Sequence, residues 1–349
     1  MATPFEIQVR DVMETKHLPI AAADLPIRKA AEVMLANKTM AVVTLDVERR
    51  PSLIYSIRRL IKNVAEGVNI DKEQIAKYAV TDPVVIREDD TIEEALRAMK
   101  REAVRVLPVV DYRNKMVGYL EARHIAFKLW KLLPYGIATV EARARHIVVV
   151  PKDLTLEAAA KAMDDNGVTE VFVREEDGSL RVLREWDFLR ALAEGADPKT
   201  AKVGEYAKGP VIKIPPTIDA RAAIEIMEAN NVLRLVAVEP GAERRYRVVT
   251  ASDLAFEALE HLEKVKPKAV ALVLANVEPG REEEVAKKLI EVEGITEVLS
   301  VPGIYDLVVR VEAPSVDEVA RIVTKHVRAL REIRDTMTLV AAPLYRKRA

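Results

Sequence analysis

Along residues 1–264 the spacing of apolar side chains switches between helical and strand-like in an order that returns about every 64 residues. Met34, Met99, Met163 and Met227 stand 65, 64 and 64 positions apart, each with an alanine four residues earlier: Ala30, Ala95, Ala159 and Ala223. Residues i and i+4 share one helix face, so each pair predicts the buried stripe of a short amphipathic helix. An apolar quartet with strand character follows each methionine, at Val42–Leu45, Leu107–Val110, Val171–Arg174 and Leu235–Val238. Polar turns such as Asp111–Lys115 and Glu175–Ser179 lead to second strands at Ser52–Ile54, Val117–Leu120, Arg181–Leu183 and Arg247–Val249. A closing helix, as over Asp187–Gly195, completes a strand–helix–strand–strand–helix unit. Two or three strands with helices on one face bury too little apolar surface alone, so the units should pair sheet to sheet. The predicted repeats are 7–70, 72–134, 139–197 and 200–264, joined as modules 1–135 and 136–264.

From Pro267 this period stops. A strand is predicted over Ala269–Val277, then a turn at Glu278–Gly280 and a helix over Arg281–Val292. That helix carries Glu282, Glu283 and Glu284 at its start and Lys287 and Lys288 later, in keeping with its dipole. Strands Ile295–Val301 and Leu307–Glu312 flank a turn at Pro302–Asp306, before a helix over Val316–Leu330 and a strand over Thr336–Ala342. The order β-α-β-β-α-β predicts a ferredoxin-like domain over 265–349, and the chain as a whole is of the α/β (α+β) class.

Thr91–Met99, Leu107–Asp111 and Arg247–Leu254 make the repeat resemble the CBS domain, named for cystathionine β-synthase, in four copies forming two Bateman modules. The resemblance implies an adenine nucleotide in the cleft between paired copies. AMP, ADP, ATP or S-adenosylmethionine would be a regulatory ligand there, and no cofactor is implied. It also implies a Ser/Thr-x-x-Asp at the start of the closing helix that grips the ribose. A carboxylate offers two acceptors to a vicinal diol, a hydroxyl donates or accepts, and a helix N-terminus favours phosphate. The fourth copy keeps the pair as Thr250 and Asp253; the third keeps Asp187 but has Arg184 in place of the hydroxyl. The second copy has Glu121 and His124 there, and the first Ser56 and Arg59. By the same resemblance Arg234 offers a cation to phosphate, and Val211 and Ile212 flank the base. Thr250 and Asp253 are equally good helix caps, and Arg234 would also suit a surface. His124 is expected to be a solvated helix residue and the first module to be structural, with Arg59, Arg123 and His124 its candidates for anion capture.

Val277–Gly280, Val298–Val309 and Arg334–Leu339 resemble the ligand-binding (RAM, ACT-like) domain of the Lrp/AsnC regulators. The resemblance implies two copies pairing their sheets, hence a homodimer or higher even oligomer, with an amino acid held near Gly303, Tyr305 and Asp306. A glycine turn exposes backbone N–H groups that take a carboxylate, and an aspartate takes an ammonium. The alternative is that Gly303 only shapes the turn and Tyr305 packs at the dimer interface. Those regulators carry a helix-turn-helix ahead of this domain. Nothing of that kind precedes residue 267, so no direct nucleic-acid binding is expected.

Composition narrows the classes further. Lys and Arg number 54 against 55 Asp and Glu, a net charge of −1 that excludes a strongly basic nucleic-acid coat. With no cysteine there is no disulfide, thiolate nucleophile or cysteine-based zinc site. The apolar run Ala269–Ala275 is too short to span a bilayer, and Met1–Met13 lacks the apolar run of a secretion signal, so a cytoplasmic protein without a membrane partner is expected. High charge, 31%, with Gln8 and Gln74 the only glutamines, fits a hot environment. There is no Gly-x-x-x-x-Gly-Lys loop, Gly-x-Ser-x-Gly elbow or His-Glu-x-x-His helix, and His17, His124, His146, His261 and His326 show no metal spacing. The expectation is a regulatory small-molecule sensor and not an enzyme. Two alternatives stay open: an oligomerising adaptor with degenerate pockets, or a transcription-regulator subunit acting through a DNA-binding partner.

Overall fold

The computed structural model describes residues 6–239, 246–265 and 269–341, and the chain divides into two compact units, one over residues 1–263 and the other over 264–349. Within the N-terminal unit a helix–strand–strand–helix order recurs four times; the opening strand expected in the first repeat is only an isolated bridge from Ile20 to Val43. The order begins with α1 (Ile27–Ala36), β1 (Ala41–Leu45), β2 (Pro51–Ser56) and α2 (Ile57–Ala65). After β3 (Val80–Thr81) come β4 (Ile86–Arg87), α3 (Ile92–Arg101), β5 (Val106–Val110), β6 (Met116–Glu121) and α4 (Ala122–Leu129). The third repeat holds β7 (Arg145–His146), β8 (Val149–Val150), α5 (Leu156–Asp165), β9 (Val171–Arg174), β10 (Leu180–Leu183) and α6 (Glu185–Ala193). The fourth holds α7 (Val203–Tyr206), β11 (Lys213–Ile214), α8 (Ala220–Ala229), β12 (Arg234–Val238), β13 (Tyr246–Thr250) and α9 (Ala251–Val265). All four Ala/Met pairs are fully buried on α1, α3, α5 and α8, as their i, i+4 spacing predicts. Thr91 starts α3 with a capping box, its Oγ1 accepting from the Glu94 N–H while the Glu94 carboxylate accepts from the Thr91 N–H.

Two kinds of packing hold the repeats together. Sheet meets sheet between the first and second repeats, where Ala41 and Val43 pack with Val106, Met116 and Tyr119. The same happens between the third and fourth, through Phe172, Leu180, Val182, Val236 and Val248. The helical faces pair differently. The first repeat buries its helices against the third, and the second against the fourth, where Trp130 Nε1 donates to the Leu254 carbonyl at 2.9 Å. Each sheet also takes an edge from the segment leading into its sheet partner. Glu14 bridges to Tyr119 of β6, β3 pairs with β2, β7 pairs with β13, and Lys208 bridges to Val182 of β10.

The C-terminal unit has β14 (Ala269–Val277), α10 (Glu282–Ile290), β15 (Ile295–Ser300), β16 (Leu307–Ala313), α11 (Val316–Ile322) and β17 (Ile333–Ala341). Its antiparallel sheet runs β15-β16-β14-β17, the ferredoxin-like order. Ala271, Val273, Ala275, Val309 and Val311 face Val285, Leu289, Val319 and Val323 in one core. The helix predicted to reach Leu330 is not continuous: α11 ends at Ile322 and a π-helical turn spans Val323–Val327. The last strand starts at Ile333 rather than Thr336, and Ala342 lies outside the described residues.

Candidate functional site

Thr250 ends β13 and Asp253 stands in the first turn of α9, so the two side chains meet across the helix start. Asp253 Oδ2 accepts from the Thr250 N–H at 3.0 Å and the Thr250 hydroxyl at 2.7 Å, and Thr250 Oγ1 accepts from the Asp253 N–H at 3.2 Å. Arg145 Nη2 also approaches Asp253 Oδ2, at 3.3 Å. The pair is thus a helix cap. It is not exhausted by capping, because Asp253 Oδ1 takes no hydrogen bond among the described residues. The Thr250 oxygen likewise keeps one of its two lone pairs.

Both residues line a cavity of about 390 Å³, with Arg58, Arg105, Arg123, Arg145, Glu170, Glu185 and Arg234 also in its wall. Arg234 does not stand ready for a phosphate, as the family resemblance implied. It is buried, Nη1 donates to Glu170 Oε2 at 3.0 Å, and Nη2 reaches both oxygens of Glu185 at 2.5 Å. Burial opposes its charge, but Glu185 and Glu170 outweigh that and hold the guanidinium firmly protonated. Burial in turn pushes the Glu170 carboxyl above its usual range, against the pull of Arg234. Buried Nε of Arg145, Nε of Arg234 and Oε1 of Glu170 have no hydrogen-bond partner among the described residues. Arg105 differs from these: it has no carboxylate partner among the described residues, lies over the Phe256 ring at 4.3 Å, and burial depresses its pKa while Asp253 opposes the shift.

Val211 and Ile212 are not beside Thr250 and Asp253. They line a second cavity of about 550 Å³ together with Arg184, Trp186 and, on a shared wall, Arg234. The bridge from Lys208 to Val182 carries the strand segment of the fourth repeat onto the third, so Val211 and Ile212 lie beside the closing helix of the neighbouring repeat. There the expected ribose carboxylate is closed. Arg184 Nε donates to Asp187 Oδ2 at 2.6 Å and Nη2 to Oδ1 at 3.0 Å, so both oxygens of the buried Asp187 are engaged, and Asp187 lines neither cavity. In the second repeat, Glu121 is buried and accepts from Thr39 Oγ1 and the Met40 N–H. His124 is not the solvated residue expected: burial depresses its pKa, and it sits 6.1 Å from the Tyr119 ring. Of the anion candidates in the first module, Arg123 lines both cavities and Arg59 neither.

Sequence reasoning missed Arg105, Arg145 and Glu170. The repeat held one usable signal: Glu170 and Arg234 occupy the same position one period apart, with opposite charge, and they meet.

In the C-terminal unit Asp306 Oδ2 accepts from the Val277 N–H at 2.8 Å, and the Tyr305 hydroxyl points at Met337 Sδ, 3.9 Å away. An added Cβ at Gly303 would meet nothing within 4 Å, so crowding does not require a glycine there. No described helix is long and apolar enough to cross a membrane.

A model of the CBS domain matches residues 75–131, 141–194 and 203–260, and a model of the Lrp/AsnC ligand binding domain matches 270–346. The first repeat shares the helix–strand–strand–helix order but lies outside these matches. An uncharacterized protein of Methanopyrus kandleri is 34% identical over 103 residues, which are 29% of this chain and 50% of that protein. The match therefore spans half of that relative's length. Hypoxic response protein 1 of Mycobacterium tuberculosis is 27% identical over 117 residues, 33% of this chain and 80% of its own. A crystal structure of a protein from Methanocaldococcus jannaschii shares the fold over 72% of this chain and 99% of its own, with a TM-score of 0.61 at 18% identity.

Proposed function

The chain carries CBS domains and a C-terminal Lrp/AsnC ligand-binding domain, and we propose that it is a regulatory sensor whose first cavity takes an adenine nucleotide. The observation that supports this is the company Asp253 keeps. Its open Oδ1 and the spare lone pair of Thr250 suit the two O–H donors of a ribose diol, in the same cavity as the carboxylate-free Arg105. A phosphate near Arg105 would meet a partly desolvated cation, where a charge-assisted hydrogen bond is strong. Ligand bound more tightly by one arrangement of the repeats shifts the population toward it, which is the regulatory step.

Calorimetric titration of the full chain with AMP, ADP, ATP and S-adenosylmethionine tests the proposal. Wild type should bind at least one of them, and Asp253→Ala should weaken that binding about tenfold or more. Arg105→Ala should weaken ATP and ADP more than S-adenosylmethionine, which has no phosphate. Absence of binding by wild type to all four at millimolar concentration would end the nucleotide reading.

For the C-terminal unit a second reading is favoured by the turn itself. Asp306 spends an oxygen on Val277 and Tyr305 leans on β17, so packing within the unit accounts for these residues without an amino-acid ligand.

A further inference from the structure

Met40, Arg105, Glu170 and Arg234 occupy one position in successive repeats, at or just before the first residue of β1, β5, β9 and β12, and all four line the first cavity. In the first module they are a methionine and an arginine, and Arg105 has no ion-pair partner among the described residues. In the second they are a glutamate and an arginine, and these two close on each other at 3.0 Å. Glu170 is 3% exposed, and its two oxygens differ. Oε2 accepts from Arg234 Nη1 and, at 3.3 Å, from the Thr169 hydroxyl. Oε1 is buried without a hydrogen-bond partner, 3.8 Å from Arg145 Nη2, which in turn reaches Asp253 Oδ2 at 3.3 Å. A phosphate carried on a ribose at Asp253 therefore finds Arg145 and Arg234 already facing a carboxylate of the protein. Arg123 is likewise held by Glu121, which leaves Arg58 and Arg105 as the cavity cations with no ion-pair partner among the described residues.

We propose, resting on the nucleotide reading of this cavity, that Glu170 is its specificity-determining residue: the carboxylate holds the place of an anion beside Arg145 and Arg234 and discriminates against ligands that carry several phosphates. A like charge set against the competitor is one way a site chooses between related ligands. One phosphate can be met at Arg58 and Arg105, whereas in a cavity of about 390 Å³ a triphosphate brings charge beside Glu170 as well. Glu170 yields to that charge by taking a proton. Arg234 and Arg145 favour its charged form, Glu185 and Asp253 oppose it, and burial outweighs the cations, so an arriving phosphate adds to the side that favours protonation.

The probes are adenosine, which has the diol and no phosphate, and ATP, each titrated calorimetrically into the full chain in two buffers of different ionisation enthalpy. Glu170→Gln keeps an acceptor for Arg234 and removes the charge, and it should raise the ratio of ATP to adenosine affinity about tenfold or more. Wild type that binds adenosine but not ATP, beside a variant that binds both, is the extreme of the same result. Wild type should also take up protons on binding ATP and none on binding adenosine, a readout that does not depend on the variant folding. Arginines beside a phosphate make it shed protons, so uptake marks the carboxylate. An unchanged affinity ratio in folded Glu170→Gln, or proton release when wild type binds ATP, overturns the proposal and leaves the nucleotide reading standing. Failure of wild type to bind either probe at millimolar concentration removes that reading, and the role of Glu170 falls with it.

Discussion

Glu170 and Arg234 are 64 residues apart in the chain and 3.0 Å apart in the fold, with Glu185 closing the other side of the guanidinium. All three are buried, so the cluster's contribution depends on its being complete. Removing one partner of a buried ion pair leaves the rest desolvated and uncompensated, at a cost of about 3–5 kcal/mol. Arg234→Met keeps much of the side-chain volume and should lower stability by about that amount in denaturant unfolding. The sign of its pH dependence follows from Glu170. Burial already raises that carboxyl, and loss of Arg234 raises it further, so the folded state holds a proton that the unfolded chain releases. A group with a raised folded pKa contributes stability below its unfolded pKa and loses it as pH rises through the folded one. The Arg234→Met defect should therefore be larger at about pH 8 than at about pH 5; the opposite slope would show that Glu170 is not its source. None of this is visible in a single repeat, where Arg234 has the look of a surface or phosphate-facing cation. Asp187 misleads for the same reason. Its role depends on where the Arg184 guanidinium goes, and the residues at the helix start do not say.

Helices and strands are legible because their evidence is local. The Ala/Met stripe places α1, α3, α5 and α8, and the apolar quartets place β1, β5, β9 and β12 to within a residue at either end. The segments that cross between repeats are not legible, since two-residue strands such as β3 and β7 have no periodicity of their own. That is why the sequence points Val211 and Ile212 to the wrong cleft. A glycine marks one of these crossings. In β6 a Cβ added at Gly118 would come within 2.8 Å of Met13 Sδ and 2.9 Å of the Glu14 carbonyl, where the segment leading into the first repeat lies along the strand. Gly118→Ala should lower the melting temperature. Overpacking costs about 1–3 kcal/mol and outweighs the roughly 0.4–1 kcal/mol gained by restricting the unfolded chain. Gly303→Ala, with open space around it, is the control and should not destabilise. Equal melting temperatures for the two variants would mean that the crossing segment yields.

Self-association would be a property of the whole chain, and the C-terminal sheet offers a face for it. Alternation along β14 sends Ala271, Val273 and Ala275 into the helix-covered core, so Leu272 and Leu274 point to the opposite face. The strand register lines Leu299, Val308, Leu274 and Met337 in one row across all four strands, and Leu339 stands opposite Leu272. Met337 and Leu339 are 48% and 47% exposed. Such an apolar row with half-exposed side chains marks an interaction surface, and a second copy offers the same row in return across a twofold axis. An isologous contact of this kind gives the even number of chains that the Lrp/AsnC resemblance implies. Met337→Lys/Leu339→Lys adds two cations where the two copies would meet, at positions solvated enough for the single chain to fold. Sedimentation of the full chain should then show wild type at an even multiple of the single-chain mass and the variant at half of it or less. A variant that keeps the wild-type mass would place the association elsewhere, and the open face would need another occupant.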